Sequence, residues 1–312
     1  SPKLFTTDKE LSSSLINQIY QDRNGFIWIA TEDGLNRYDG AKFTIYKHEP
    51  NNEHSLAHNF VRTVFEDSKG HLLIGTYIGI QMYDPATDNF TPLAKLEDTG
   101  ETLESNINSF IERKNGEIWV SGNVLCKLDI KDHLLTVRKV DIAVTSPGSL
   151  FEDKKQNVWM TKGEEGVYQL TPDNQLTLHL SKDNGYVKSI CEDQRGNIYV
   201  GSIRKGLFIY DKERKTFVPV DLKEKGELPV CFLYSGIPNE LYIGTDGKGV
   251  AIYNIRTHEI SEYKFDNNYF DSGNSKIHSI LKDNSGNLWL AVYQKGVILI
   301  PVSYTHLRAH ET

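Results

Sequence analysis

Gly25-Phe26-Ile27-Trp28-Ile29-Ala30-Thr31-Glu32-Asp33-Gly34-Leu35-Asn36-Arg37-Tyr38-Asp39 decides the fold, because its core is written seven times along the chain. Trp28, Trp119, Trp159 and Trp289 are all the tryptophans, and each ends the same four-residue phrase. Leu73, Tyr199 and Tyr242 fill that column in the other three copies. The phrases begin at 25, 70, 116, 156, 196, 239 and 286, with spacings of 45, 46, 40, 40, 43 and 47 residues. Such a period is too long for a leucine-rich or tetratricopeptide repeat and fits four short strands per unit.

The interior of each copy agrees. An apolar run such as Ile16-Asn17-Gln18-Ile19 comes first, followed by a turn, Asp22-Arg23-Asn24-Gly25. That turn recurs at Asp67 to Gly70, Asp193 to Gly196 and Asp283 to Gly286. Asp bonds its own backbone two residues on, and Gly takes the positive φ of a tight hairpin. The Trp strand follows, then a turn ending at Gly34, a third strand Leu35 to Tyr38, and a more polar fourth strand Phe43 to Tyr46. The residue two beyond the Trp column is always small: Ala30, Gly75, Ser121, Thr161, Gly201, Gly244 and Ala291. Radially converging sheets want small side chains at their narrow part and aromatics between blades. A helical reading fails, because no 3.6-residue period is sustained and β-branched and aromatic residues dominate.

The expected fold is therefore all-β: a seven-bladed β-propeller of four-stranded antiparallel blades over residues 3–302. Copy three lacks the turn Asp (Arg113 stands there), copy four has Gln156 for Gly, and copy six has Asn239. Blade three is expected to be the least regular, while Asn239 should keep its turn because Asn tolerates the left-handed conformation. The seventh copy ends near Val302 with no fourth strand after it. The stretch around Leu4 and Phe5 is expected to supply that strand and close the ring.

A net charge of −7 lacks the basic footprint of a nucleic-acid binder. No apolar run reaches the eighteen residues of a membrane span. The chain opens at Ser1 without a visible signal peptide, which reads as a fragment or a mature segment. Cys126, Cys191 and Cys231 match no metal motif, and an odd number is not a disulfide framework. They read as buried small hydrophobes. Residues 303–312 lose the repeat character and read as a foreign or truncated tail; His306 and His310 there stand four apart but form no credible metal pair. Neither a cofactor nor a metal is expected.

The phrase G-x-I-W-I-x-T-x-x-G-L-x-x-Y-D, nearly intact from Gly25 to Asp39 and preceded by the I-x-x-I-x-x-D element Ile16 to Asp22, resembles the two-component regulator propeller repeat. The resemblance covers residues 3–302 and implies the first of two tandem propellers in a hybrid two-component sensor histidine kinase, best known in gut Bacteroidetes. It further implies a periplasmic location, a glycan or oligosaccharide ligand and control of polysaccharide-utilisation genes. The partners would be that ligand, the second propeller, downstream sensor domains of the same chain and, for a kinase-linked sensor, a second copy. Nucleic acid and direct membrane contact are not expected, and the kinase chemistry would lie outside these residues.

Two columns are candidates for ligand contact, because propeller loops and channel mouths collect one residue from every blade. The first follows the opening apolar residue of the innermost strand: Asn17, Arg62, Asn108, Gly148, Lys188, Cys231 and His278. The second is the turn between strands two and three: Glu32 and Asp33, Tyr77, Glu164 and Glu165, Arg204 and Lys205, Asp246 and Lys248, Tyr293 and Lys295. From these, Arg62, Tyr77, Lys188, Arg204, Lys248, His278 and Tyr293 form the expected ligand set, with tyrosines stacking on sugar faces and cations meeting carboxylate or sulfate. Solvation alone also explains charged turns. The rival readings are a propeller lyase or hydrolase and a protein-interaction scaffold. Catalysis is disfavoured, since His278 is the only histidine in the channel column and no G-x-S-x-G elbow occurs. No catalytic residue is assigned.

Overall fold

Seven small antiparallel sheets follow one another along the chain, and the fold is a seven-bladed β-propeller. The computed structural model describes residues 1–180, 185–223 and 228–304. His306 and His310 and all but the first two residues of the expected tail lie outside the described residues. Helix among the described residues comprises the 3-10 turn Ser272–Asn274, a 3-10 position at 223 and one turn at 302–304, and no helix is long and apolar enough to cross a membrane. By its contacts the chain divides into two units, Thr7–Glu152 and Ser1–Thr6 with Asp153–Thr312.

In the first unit, blade one comprises Ile16–Gln21, Ile27–Thr31, Gly34–Tyr38 and Phe43–Tyr46. Blade two comprises Val61–Glu66, Leu72–Thr76, Ile80–Asp84 and Asn89–Phe90. Trp28 is 1% exposed and packs between them, edge-on to Tyr83 at 4.9 Å and stacked on Tyr46 at 5.8 Å. The Trp column is thus a blade-to-blade packing position here, in one cluster with Val61, Val64 and Ile74.

Each turn aspartate fixes its tryptophan. Asp22 Oδ1 accepts from the Asn24 and Phe26 amides, and Oδ2 accepts from Trp28 Nε1 at 2.8 Å. Asp153–Trp159 and Asp283–Trp289 repeat the bond at 2.8 and 2.9 Å, and Asp193 takes the Tyr199 hydroxyl at 3.0 Å. Blade three (Ser109–Glu112, Ile118–Ser121, Leu125–Lys131, Leu134–Lys139) substitutes a different device. The Arg113 guanidinium lies 4.5 Å over the Trp119 ring and its Nε donates to Glu152 at 2.6 Å. A cation–π contact replaces the carboxylate bond. Trp119 Nε1 is left buried without a hydrogen-bond partner among the described residues. Blade three also carries a fifth strand, Lys95–Leu96, parallel to Leu134–Lys139. Its expected irregularity is therefore real, and its cause is the longer connection that precedes it. Leu150–Glu152, the first strand of blade four, ends this unit.

The second unit holds the rest of blade four (Val158–Thr161, Val167–Leu170, Leu176–His179) and three further blades. Blade five is Val187–Glu192, Ile198–Ser202, Gly206–Asp211 and Thr216–Pro219. Blade six is Val230–Ile237, Glu240–Thr245, Val250–Asn254 and Ile260–Tyr263. Blade seven is Ile277–Lys282, Leu288–Val292 and Gly296–Ile300. Gln156 and Asn239 adopt φ of 67° and 64°, so both degenerate turns survive. The small column has a steric cause. A Cβ on Gly201 would stand 2.3 Å from Val230 Cγ1, and one on Gly244 would stand 2.3 Å from the Ile277 carbonyl oxygen. The opening residue of the next blade occupies that space. All three cysteines are free and buried, as expected.

Closure is observed as expected. Lys3–Phe5 pairs antiparallel with Gly296–Ile300, with Lys3 opposite Leu299 and Phe5 opposite Val297. Phe5 is 1% exposed and stacks on Trp289 at 5.8 Å. Deleting residues 1–8 exposes a blade edge and is expected to lower the melting temperature sharply. Phe5→Ala alone should cost roughly 3–5 kcal/mol, read by urea unfolding.

His179 sets a pH dependence. It is 7% exposed, ringed by Trp159 at 5.5 Å, Tyr210 at 5.6 Å and Phe217 at 5.8 Å, with Nε2 2.9 Å from Gln169 Oε1. Burial lowers its pKa, so the fold holds the neutral ring while the unfolded chain binds a proton below about 6.5. This contribution is full above that pH and is lost as pH falls through it. Urea midpoints should therefore decline between pH 7 and pH 5, and the His179→Gln variant should show a smaller decline.

Candidate functional site

The first candidate column has a backbone cause that its spacing alone does not show. In five blades the register between strands one and two shifts at this residue: Asn17, Arg62, Lys188, Cys231 and His278 are each the extra residue of a β-bulge. A bulge leaves its extra residue unpaired and re-aims the side chain. Here three of the re-aimed side chains, those of Asn17, Arg62 and Cys231, reach the next blade. Asn17 Nδ2 donates to the Val61 carbonyl at 2.7 Å, and Arg62 donates to Asn108 Oδ1 at 3.1 Å. Asn108 Nδ2 donates to the Pro147 carbonyl at 2.8 Å, and the Cys231 thiol donates to the Ile277 carbonyl at 3.0 Å. Burial pushes that thiol up to about 11, against the opposing charges of Lys188 and Lys276. Within each unit the column works as a clasp between successive blades.

The second column lies where strand two leaves the sheet, and its backbone is bonded to the residue just before strand one. The Tyr77 amide donates to the Phe60 carbonyl at 2.9 Å, and the Tyr293 amide donates to the Lys276 carbonyl at 3.0 Å. Glu32 to Leu15, Ile203 to Tyr186 and Asp246 to Pro229 repeat the bond. This pairing juxtaposes side chains that belong to different columns of the repeat.

In the first unit it brings Tyr77 and Arg62 to one patch. Tyr77 is 52% exposed, with His58 at 5.4 Å and Phe60 at 5.9 Å, and the Arg62 guanidinium lies 5.6 Å over the Phe60 ring. In the second unit it brings His278 and Tyr293 together. Tyr293 is 44% exposed, lies edge-on to His278 at 6.2 Å and has the Lys276 ammonium 4.8 Å over its ring. Arg204 is paired elsewhere, with Glu164 at 2.6 Å on an exposed surface. Lys188 and Lys248 are exposed single charges. Phe60, His58 and Lys276 were not among the expected set. The signal for Phe60 and Lys276 is the position one before the apolar opener, which the repeat leaves free to vary; His58 lies two residues upstream of Phe60. Among the described residues no group of three or more His, Cys, Asp or Glu could hold a metal ion.

Comparison with known proteins fits this geometry. Residues 10–33, 55–77 and 181–204 match the family described as two component regulator propeller. The architecture is that of a β-propeller, and three stretches of the chain carry the two component regulator propeller repeat. Over 55 residues it is 42% identical to "Histidine kinase P4" of Formosa agariphila, an alignment covering 18% of this chain and 4% of that protein. Its fold is similar to the extracellular domain of the hybrid two-component system BT3049 from B. thetaiotaomicron, with TM-score 0.81 and 21% identity over 96% of this chain and 42% of that one. A catalytically inactive virginiamycin B lyase from Staphylococcus aureus, solved with quinupristin, is also similar in fold, with TM-score 0.71 and 13% identity over 96% and 99% of the two chains. The chain thus spans about two fifths of the extracellular domain that it resembles.

The clasp predicts unequal effects within the expected set. Arg62→Ala should cost on the order of 1–2 kcal/mol, because it leaves Asn108 without its donor. Lys188→Ala, at an exposed bulge, should stay within about 0.5 kcal/mol. Urea unfolding of the two variants in parallel checks this.

Proposed function

We propose that this chain is a ligand-sensing propeller in the extracytoplasmic, periplasmic part of a hybrid two-component signal-transduction protein. Its ligand is a glycan or oligosaccharide, and occupancy regulates polysaccharide-utilisation genes through kinase domains carried elsewhere in the protein. The chain itself does no chemistry. A second propeller, downstream sensor domains and a second copy of the sensor are its expected protein partners.

The observation that carries this reading is the half-exposed tyrosine that leaves strand two in blades two and seven. Each ring is held from behind by its neighbours, Tyr77 by His58 and Phe60, Tyr293 by His278 and Lys276. Large rigid rings with an apolar face and a polar tip give contact area at low entropic cost. That suits pyranose rings, which present C–H faces between hydroxyl edges. The family match and the fold of the BT3049 sensor domain support the signalling half of the reading. The lyase likeness is one of fold alone.

Calorimetric titration of the chain with oligosaccharide fractions, neutral and anionic, tests the reading. Saturable binding is expected. Tyr77→Ala with Tyr293→Ala should weaken it at least tenfold, which corresponds to about 1.4 kcal/mol. Binding that survives alanine at Arg62, Lys188, Arg204 and Lys248 together removes the cations from the site. Absence of binding to every fraction overturns the reading.

A further inference from the structure

Beside Tyr77, within the first unit, lies a pocket of about 470 Å³ lined by Tyr77, Ile78, Leu93, Glu104, Ser105, Asn106 and Asn123. Its volume falls in the range of roughly 300–1,000 Å³ typical of small-ligand sites. Resting on the glycan reading for its ligand class, we propose that this pocket is a subsite for one uncharged pyranose ring. The apolar face of the sugar lies on Tyr77, and its hydroxyls meet Asn106, Asn123 and Glu104.

The pocket is built rather than incidental. The segment before blade three runs along the strand-two exit of blade two, with the Ile107 amide donating to the Thr76 carbonyl at 3.0 Å and the Ser105 amide to the Ile78 carbonyl at 3.1 Å. Ser105 Oγ accepts from the Asn123 amide at 2.8 Å, which ties the blade-three turn to the same wall. Gly122 makes this approach feasible, since a Cβ there would stand 2.4 Å from Ser105 Oγ and 2.7 Å from the Asn106 carbonyl oxygen. The aromatic platform is equally fixed, with Tyr77 held by His58 and Phe60 and by its own amide bond to Phe60.

The polar groups point to hydroxyls. Asn106 Oδ1 is buried and has no hydrogen-bond partner among the described residues. A buried acceptor without a donor is costly, and a donor supplied by a ligand relieves it. Glu104 and Asn123 are exposed, so their side chains stand available at the rim. Neither Lys nor Arg lines the pocket, and its single charge is the Glu104 carboxylate. The cation of the expected set in the same unit, Arg62, is engaged with Asn108 and stacked on Phe60. A uronate or sulfated sugar would meet repulsion here with no compensating cation, whereas a neutral sugar meets an amide pair, a carboxylate acceptor and a ring face.

The test titrates the full chain with matched neutral and uronate-containing oligosaccharides, using calorimetry and ligand-observed NMR. A neutral oligosaccharide is expected to bind, with saturation transfer strongest on one ring. Tyr77→Ala and Asn106→Leu should each weaken binding about tenfold or more, and Tyr77→Trp should retain it. Glu104→Lys should raise affinity for the uronate series. Unchanged thermal unfolding of Tyr77→Ala serves as the folding control. Neutral-sugar binding that is indifferent to Tyr77 and Asn106 but lost on Tyr293→Ala overturns the subsite and leaves the glycan reading intact. Preference for the uronate oligosaccharide by the unmodified chain, lost on Tyr77→Ala, overturns the charge assignment. Failure of the unmodified chain to bind any oligosaccharide overturns both.

Discussion

A carboxylate set in a four-residue turn holds most of the blades in shape. Asp22, Asp153 and Asp283 each accept two backbone amides on one oxygen and an indole N–H on the other. One side chain therefore sets the hairpin between strands one and two and orients the ring that packs the blade. Hydrogen bonds to a charged group are each worth roughly 1.5–3 kcal/mol, more than neutral ones. Breaking the turn strands a buried indole donor as well. Where blade five has Tyr199 in the column, Asp193 accepts its hydroxyl instead, and burial together with that carboxylate pushes the phenol pKa well up. In blade two, Asp67 turns to His71 Nδ1 at 2.7 Å because Leu73 offers no donor. The aspartate is thus more constant than its partner, since the turn needs it whatever fills the column.

Much of this was legible because a repeat multiplies each local signal. A single Gly-x-Ile-Trp phrase says little, whereas seven in register make the period, the strand count and the missing last strand visible. Closure by Lys3–Phe5 followed from that count. The small column was legible as a residue type, and the structure adds its steric reason in the approach of Val230 to Gly201 and of Ile277 to Gly244. Positive φ at Gln156 was not legible, because Gln carries no left-handed preference; the rest of the turn forces it. Blade three shows where such reasoning runs out. Nothing local marks Lys95–Leu96 as a parallel fifth strand, and an Arg at the turn position does not announce that it will stack on Trp119.

The candidate site was legible as positions and not as partners. Tyr77 and Tyr293 stand out as large aromatics in a solvated turn, and both prove half exposed. Reading column one as an open row of ligands misses the bulge, which turns Asn17, Arg62 and Cys231 toward the following blade. A bulge leaves no mark in the apolar–polar alternation beyond one displaced residue, and here that residue is the one the repeat does not hold constant. Phe60 and Lys276 escaped notice for a related reason. They precede the periodic segment, and only the backbone bond between the two strand ends makes them neighbours of the tyrosines.

The same bonds bear on how such a module can signal. The wall beside Tyr77 is held by backbone bonds at Thr76, Ile78 and Phe60, and its tyrosine is braced by two rings. A site already in its binding shape gains affinity because little ordering remains to be done. For the same reason it has little conformational response of its own to give. A ligand shifts an equilibrium only by the difference in its affinity for two states. If the propeller keeps one state, that difference must arise where the bound molecule meets a second surface. The oligosaccharide proposed as ligand, if anchored by one ring on this platform, would leave its remaining rings free to make that second contact. Under the proposed function, rigidity at Tyr77 is compatible with sensing: the propeller would supply the fixed half of a two-sided grip, and the switching element would lie with whatever supplies the other half.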